Sequence, residues 1–139
     1  IALKNGEVPV GAVIVDATGK IIARGYNQIE KKACQLGHAE AIAIQKACKK
    51  LGDWRLNGCL IYVTLEPCLM CMGLIKLSRI TGIVFGAHSS LFGSGLADLK
   101  NAPAYTKGIS IEDGCKKQQS IDLLQAFFKN VRKKRKDDQ

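Results

Sequence analysis

The sequence predicts an α/β fold, a mixed β-sheet with helices on both faces, from three observations. An apolar hairpin pattern opens the chain, an amphipathic helix follows it, and a strand–helix–strand unit occupies the middle. The 139 residues, 47% hydrophobic and 24% charged, are enough for one domain with a real core and leave no room for a second, so one domain is expected over 1–139. Only 3 prolines are present, and no apolar run approaches the ~20 residues of a membrane-spanning helix. Those two features exclude a linker-rich chain and an integral helical membrane protein.

The elements follow in order. Residues 8–16 form a β-branched apolar run, Thr18-Gly19-Lys20 reads as a turn, and the apolar pattern resumes over 20–26, which predicts an antiparallel hairpin. Over 38–51, Ile44, Ala47, Cys48 and Leu51 recur at i, i+3, i+4 and i+7 while Gln45, Lys46, Lys49 and Lys50 stay polar. That is an amphipathic helix, and Gly52 ends it. Residues 59–65 are a short buried strand. Glu66-Pro67 then leads into an apolar helix over 68–77, and 80–86 is the next strand, so a right-handed parallel crossover is expected. The stretch 89–106 has no clean period, and 107–112 suits a last, edge strand. Ile121, Leu124, Phe127, Phe128 and Val131 stripe one face of a C-terminal helix over about 119–136. In sheets of this build the chemistry sits at the carboxyl ends of strands, so the positions just past Tyr26 and Leu65 carry the interest.

Past Leu65 stands Pro67-Cys68-Leu69-Met70-Cys71. Proline suits the first helical position and holds Glu66 extended, so Cys68 and Cys71 fall at i and i+3 on one face of a first turn. Unpaired N–H groups there favour the thiolates that a soft divalent metal binds. The second half of the pattern is His38-Ala39-Glu40. On a regular helix His38 and Glu40 lie ~200° apart, so they converge only at an irregular helix entry, with which Gly37 is consistent. One imidazole and two thiolates make three ligands, the number a catalytic zinc uses when its fourth position is kept for water, and Glu40 is left as a carboxylate beside that water. If Cys34, Cys59, Cys115 or His88 supplied a fourth ligand, the site would instead be a closed structural zinc.

The six cysteines come with neither a signal peptide nor the disulfide density of small secreted scaffolds, so a reducing cytoplasm is expected. Ile1 opens the chain in place of a methionine, which leads us to expect residues before it and a truncated first helix. Lys plus Arg number 21 against 12 Asp plus Glu, a net charge of +9 that points to a polyanionic partner. Arg132, Lys133, Lys134, Arg135 and Lys136 concentrate it at the C-terminus, where a solvated tail is the bland alternative.

The His-x-Glu and Pro-Cys-x-x-Cys pattern resembles the signature of the zinc-dependent cytidine deaminase superfamily, and within it the chain is similar to the bacterial tRNA-specific adenosine deaminases. The likeness spans nearly the whole chain: residues 6–13, Asn27, the His38 motif, residues 62–68, Ser78-Arg79-Ile80, Phe85-Gly86-Ala87, and Leu123-Leu124 with Phe127-Phe128 and Arg132. It implies a three-layer α/β/α fold with a five-stranded mixed sheet. It also implies one zinc on His38, Cys68 and Cys71, Glu40 as proton carrier, and hydrolysis of a wobble adenosine to inosine in a tRNA anticodon. In the family the Asn27 position contacts the substrate nucleoside; an Asn after a strand is also ordinary turn chemistry. Phe128 or Arg132, rather than the apolar stripe as a whole, is expected to meet RNA. A homodimer with its site near the subunit interface is implied too. Two departures stand out: His88-Ser89 replaces the basic-Asp pair that many members carry after Phe-Gly-Ala, and Gly37 replaces Ala. A deaminase of a free nucleobase or nucleoside, of guanine or cytosine type, and a non-catalytic zinc module that binds RNA remain as alternatives.

Overall fold

A computed structural model of the chain describes residues 1–90, 93 and 103–138. A single 3-10 turn over Leu3–Asn5 precedes β1 (Gly11–Val15) and β2 (Ile21–Tyr26), which pair antiparallel with a register shift between Ile14 and Val15. The turn between them is held by Asp16, whose Oδ1 accepts the backbone N–H of Thr18 (2.9 Å) and of Lys20 (3.1 Å) and the Thr18 hydroxyl (2.6 Å). The expected hairpin is therefore present. It starts later than residue 8 because Pro9 has no N–H to give a ladder.

After β2 come two pieces with too little periodicity to be legible: α1 (Ile29–Lys32) and a 3-10 turn over Gln35–Gly37. The buried carboxylate of Glu7 accepts the N–H groups of Glu30 and Lys31 and so fixes the start of α1. Then α2 (Ala39–Leu51) ends at left-handed Gly52, as its periodicity and glycine predicted. β3 (Leu60–Leu65), α3 (Leu69–Leu77) and β4 (Gly82–Ala87) form the expected crossover, with β3 and β4 parallel. The short α4 (Pro103–Thr106) and β5 (Ser110–Glu112) follow, and β5 lies parallel to β4. The aperiodic stretch expected over 89–106 lies largely outside the described residues. Last is α5 (Lys117–Asp137).

The sheet order is β2-β1-β3-β4-β5, five strands with mixed directions. Alternation along the strands sends Ala12, Ile14, Ile61, Val63, Ile83 and Phe85 to one face, where they join Ala39, Ala43, Ala47, Met72 and Ile75 of α2 and α3 in one buried core. On the other face α5 crosses β3 and β4. A Cβ on Gly86 would stand 2.6 Å from Ser120 Oγ, so this glycine lets the start of α5 lie against β4. The stripe of α5 is half-buried rather than core: Ser120 is its only buried residue.

Candidate metal centre and active-site cavity

The helix starts generate the site. α3 begins at Leu69, not at the proline: Cys68 is its N-cap, extended at φ −73° and ψ 171°, and Pro67 precedes the cap. Cys71 is the third helical residue and is fully buried. His38 is likewise the N-cap of α2, extended at φ −63° and ψ 143°, and Glu40 is the second helical residue. That extended residue is the irregular entry the sequence required. It frees the imidazole from the helical rotation and lets it turn toward α3.

Neither cap residue satisfies its own helix start. For α2 the service comes from the residue just past β2: the Asn27 Oδ1 accepts the Ala39 N–H at 3.0 Å from a buried position. Gly37, ahead of His38, is packed so closely on the backbone of Gln28 that a Cβ would come within 2.7 Å of it.

His38 Nδ1 faces both thiols, 3.8 Å from Cys68 Sγ and 3.6 Å from Cys71 Sγ, and the ligand atoms of the three residues lie within 4.8 Å of one another. One nitrogen and two sulfurs at these separations, half-buried to buried, fit a single zinc ion with a coordination position left open. Among the described residues no fourth His, Cys, Asp or Glu joins them. Cys34 and Cys115 are exposed, Cys59 is buried in the core, and His88 is bonded elsewhere. The closed structural alternative thus loses its candidate fourth ligands.

The two thiols differ. Hydrogen bonds from Cys71 and then from His38 pull the Cys68 thiol down to about 4, whereas its bond to Cys68 and its burial push Cys71 up. His38 is raised, first by its bond to Cys68. Glu40 is 4% exposed, and burial raises its carboxyl above the usual range, against the opposing pull of His38. A carboxyl so placed holds a proton more readily than a surface glutamate does.

A cavity of about 820 Å³ opens over these residues, with Asn27, His38, Glu40, Glu66, His88 and Phe128 in its walls. That volume accommodates a nucleoside. Leu124 also reaches the wall from α5, but Arg132 does not line it and lies exposed one turn beyond Phe128. The proposed substrate residues therefore separate into Asn27 and Phe128 in the cavity and Arg132 outside it.

Two residues that sequence reasoning missed complete the site. Gln35 Oε1 meets His38 Nε2 at 3.3 Å, a contact made by the 3-10 turn that no periodicity announces. Glu66 is 5% exposed, and its Oε1 accepts the Ser89 N–H at 3.1 Å. A carboxylate at the end of an apolar strand was the available signal for it.

Residues 2–87 match the family model of the cytidine and deoxycytidylate deaminase zinc-binding region. A tRNA-specific adenosine deaminase of Bacillus subtilis (strain 168) is 44% identical over 97% of this chain and 84% of its own length. One of Rickettsia bellii (strain RML369-C) is 42% identical, over 95% and 93% respectively. A solved structure from a study of A-to-I editing by tRNA:A34 deaminases at the wobble position of transfer RNA superposes with a TM-score of 0.81 at 36% identity, covering 88% of this chain and 90% of that one.

Proposed function

The chain belongs to the zinc-binding cytidine and deoxycytidylate deaminase family, among the tRNA-specific adenosine deaminases, and on that premise we propose that it hydrolyses the wobble adenosine of a tRNA anticodon to inosine. The observation that carries this is the buried Glu40 carboxyl beside a three-ligand cluster of one imidazole and two thiols. His38, Cys68 and Cys71 would hold the zinc ion, which would act as a Lewis acid and lower the pKa of a water toward ~7.

The remaining work belongs to the chain's own side chains. Glu40 takes one proton from the water as its oxygen adds to C6 of adenine and gives it to N1; it then takes the second proton from the new C6 hydroxyl and hands it to the amine as the C6–N bond breaks and the C6 carbonyl forms. Water and adenosine thus become inosine and ammonia. Its raised carboxyl suits a group that must both accept and return the proton. Asn27 is committed through Oδ1 to Ala39, which leaves its amide N–H groups for the nucleoside. The target base must leave its stack to enter the cavity, and Phe128 offers it an aromatic surface there. Arg132 and the cations after it hold phosphates of the anticodon stem.

Leu36, Leu69 and Met70 are exposed beside the site, which supports a homodimer whose interface borders the cavity. Among the described residues no helix is long and apolar enough to cross a membrane; the tRNA substrate is what supports a cytoplasmic enzyme. The decisive assay is inosine formation at the wobble position of an in-vitro transcribed tRNA, with free guanine, cytosine and their nucleosides as parallel substrates. Ammonia released only from the free bases would replace the tRNA assignment. Absence of ammonia from every substrate would leave a binding module.

A further inference from the structure

His88 directly follows β4, and both of its ring nitrogens meet carboxylates. Nε2 lies 2.8 Å from Asp113 Oδ2, and Nδ1 lies 3.3 Å from Glu66 Oε1. Phe85 sets the plane of the ring, edge-to-face with centroids 5.0 Å apart. The two carboxylates belong to different parts of the molecule. The Glu66 side chain is 3% exposed in the cavity wall, between β3 and Cys68. Asp113 sits between β5 and α5, on a segment tied to β4 by bonds from Gly114 N–H to Gly86 O and from Cys115 N–H to Phe85 O, each 3.2 Å. That segment launches α5, which brings Leu124 and Phe128 back to the cavity.

A neutral imidazole has one N–H to donate, so only the imidazolium satisfies both acceptors. We propose that protonated His88 is a positioning residue, a clasp that ties the Glu66 wall of the cavity to the foot of α5 and so sets the distance between the metal centre and the RNA-facing side chains. His88 lines the cavity, but both of its ring nitrogens are committed to carboxylates, so the clasp gives it no role on the reacting atoms. Its effect passes through α5.

Among the described residues, the charged groups that face it are Glu66 after β3 and Asp113 after β5, with Lys117 in the first turn of α5 acting on Asp113. The Asp113 bond, followed by the Glu66 bond, raises His88 above its ordinary value, so the clasp is complete below that value and is lost as pH rises through the higher folded one. Sequence makes this measurable: the chain has two histidines, and His38 is held in the metal centre, so one imidazole is left to titrate.

Two measurements on the zinc-loaded protein test the clasp, which rests on the tRNA assignment only for its second. First, the pH titration of the His88 ring protons by NMR should give a pKa above the model-peptide value of about 6.5, and Asp113→Asn should lower it. A pKa at or below that value, or one indifferent to Asp113→Asn, overturns the clasp whatever the substrate is. Second, KM for an anticodon stem-loop should rise by up to about fivefold from pH 6 to pH 9, as expected for the loss of one solvent-exposed ion pair, while kcat follows the chemistry. His88→Gln should hold the high KM at every pH, and His88→Arg, charged throughout, should flatten the profile at the low KM. A His88→Gln profile matching the wild type refutes the positioning role. If the NMR result stands and the stem-loop is not deaminated, the clasp survives and the substrate assignment falls.

Discussion

Gln35 Oε1 lies 3.3 Å from His38 Nε2, the ring nitrogen on the far side from the two thiols. The amide oxygen is an acceptor, so it selects the tautomer with hydrogen on Nε2 and a lone pair on Nδ1, where a metal needs it. Gln35→Leu should lower zinc affinity by roughly tenfold, read by chelator competition, while Gln35→Glu keeps an acceptor and retains it. Equal affinity in all three proteins would leave Gln35 as a bystander.

Glu40→Gln should bind zinc in the same stoichiometry as the wild type yet lose about 10²- to 10⁴-fold in kcat, because the amide cannot relay a proton. Metal content by elemental analysis and ammonia release measured on the same sample separate the two roles. Loss of zinc together with activity would mean that Glu40 builds the site and does not work in it.

Gly25 on β2 marks where α2 rests on the sheet. A Cβ there would stand 2.2 Å from Ala39 O and 2.8 Å from Ala43 N, both backbone atoms of α2. Gly25→Ala must push the start of the helix outward and carry His38 with it, so we expect about 1–3 kcal/mol less stability in denaturant melts and weaker zinc binding. Gly73 in the middle of α3 is the control: no atom lies within 4 Å of its would-be Cβ. Gly73→Ala should stabilise by ~0.5–1 kcal/mol through helix propensity.

These cases mark where the sequence was legible. The grouping of His38, Cys68 and Cys71 beside Glu40 could be read because residue chemistry and spacing constrain a candidate metal site before any fold exists. The hairpin, α2 and the β3-α3-β4 crossover could be read because each carries a clear apolar period. Gln35 could not, since its contact with His38 is made by a 3-10 turn that has no periodicity, and neither could Glu66 or the Asn27 bond to Ala39, since those pair groups that only the folded sheet brings together. The stripe of α5 misled in degree: Ile121, Leu124, Phe127 and Val131 have core periodicity but are only half-buried, because α5 lies on the sheet near its start.

The far end of α5 carries the last prediction. From Arg132 to Lys136 five successive cations are exposed, beyond Val131 and clear of the core. A chain ending at residue 130 should keep its melting temperature within a few degrees and its zinc, because nothing in the core is lost. Its RNA affinity should fall, and the slope of log K against log salt should shrink by up to about 4 if all five cations displace counterions from phosphates. Phe128→Ala alone probes the complementary half, since loss of a stacking ring weakens binding at every salt concentration without altering the slope. An unchanged slope in the truncated chain would make the cluster a solvated tail and move the phosphate grip elsewhere on the surface.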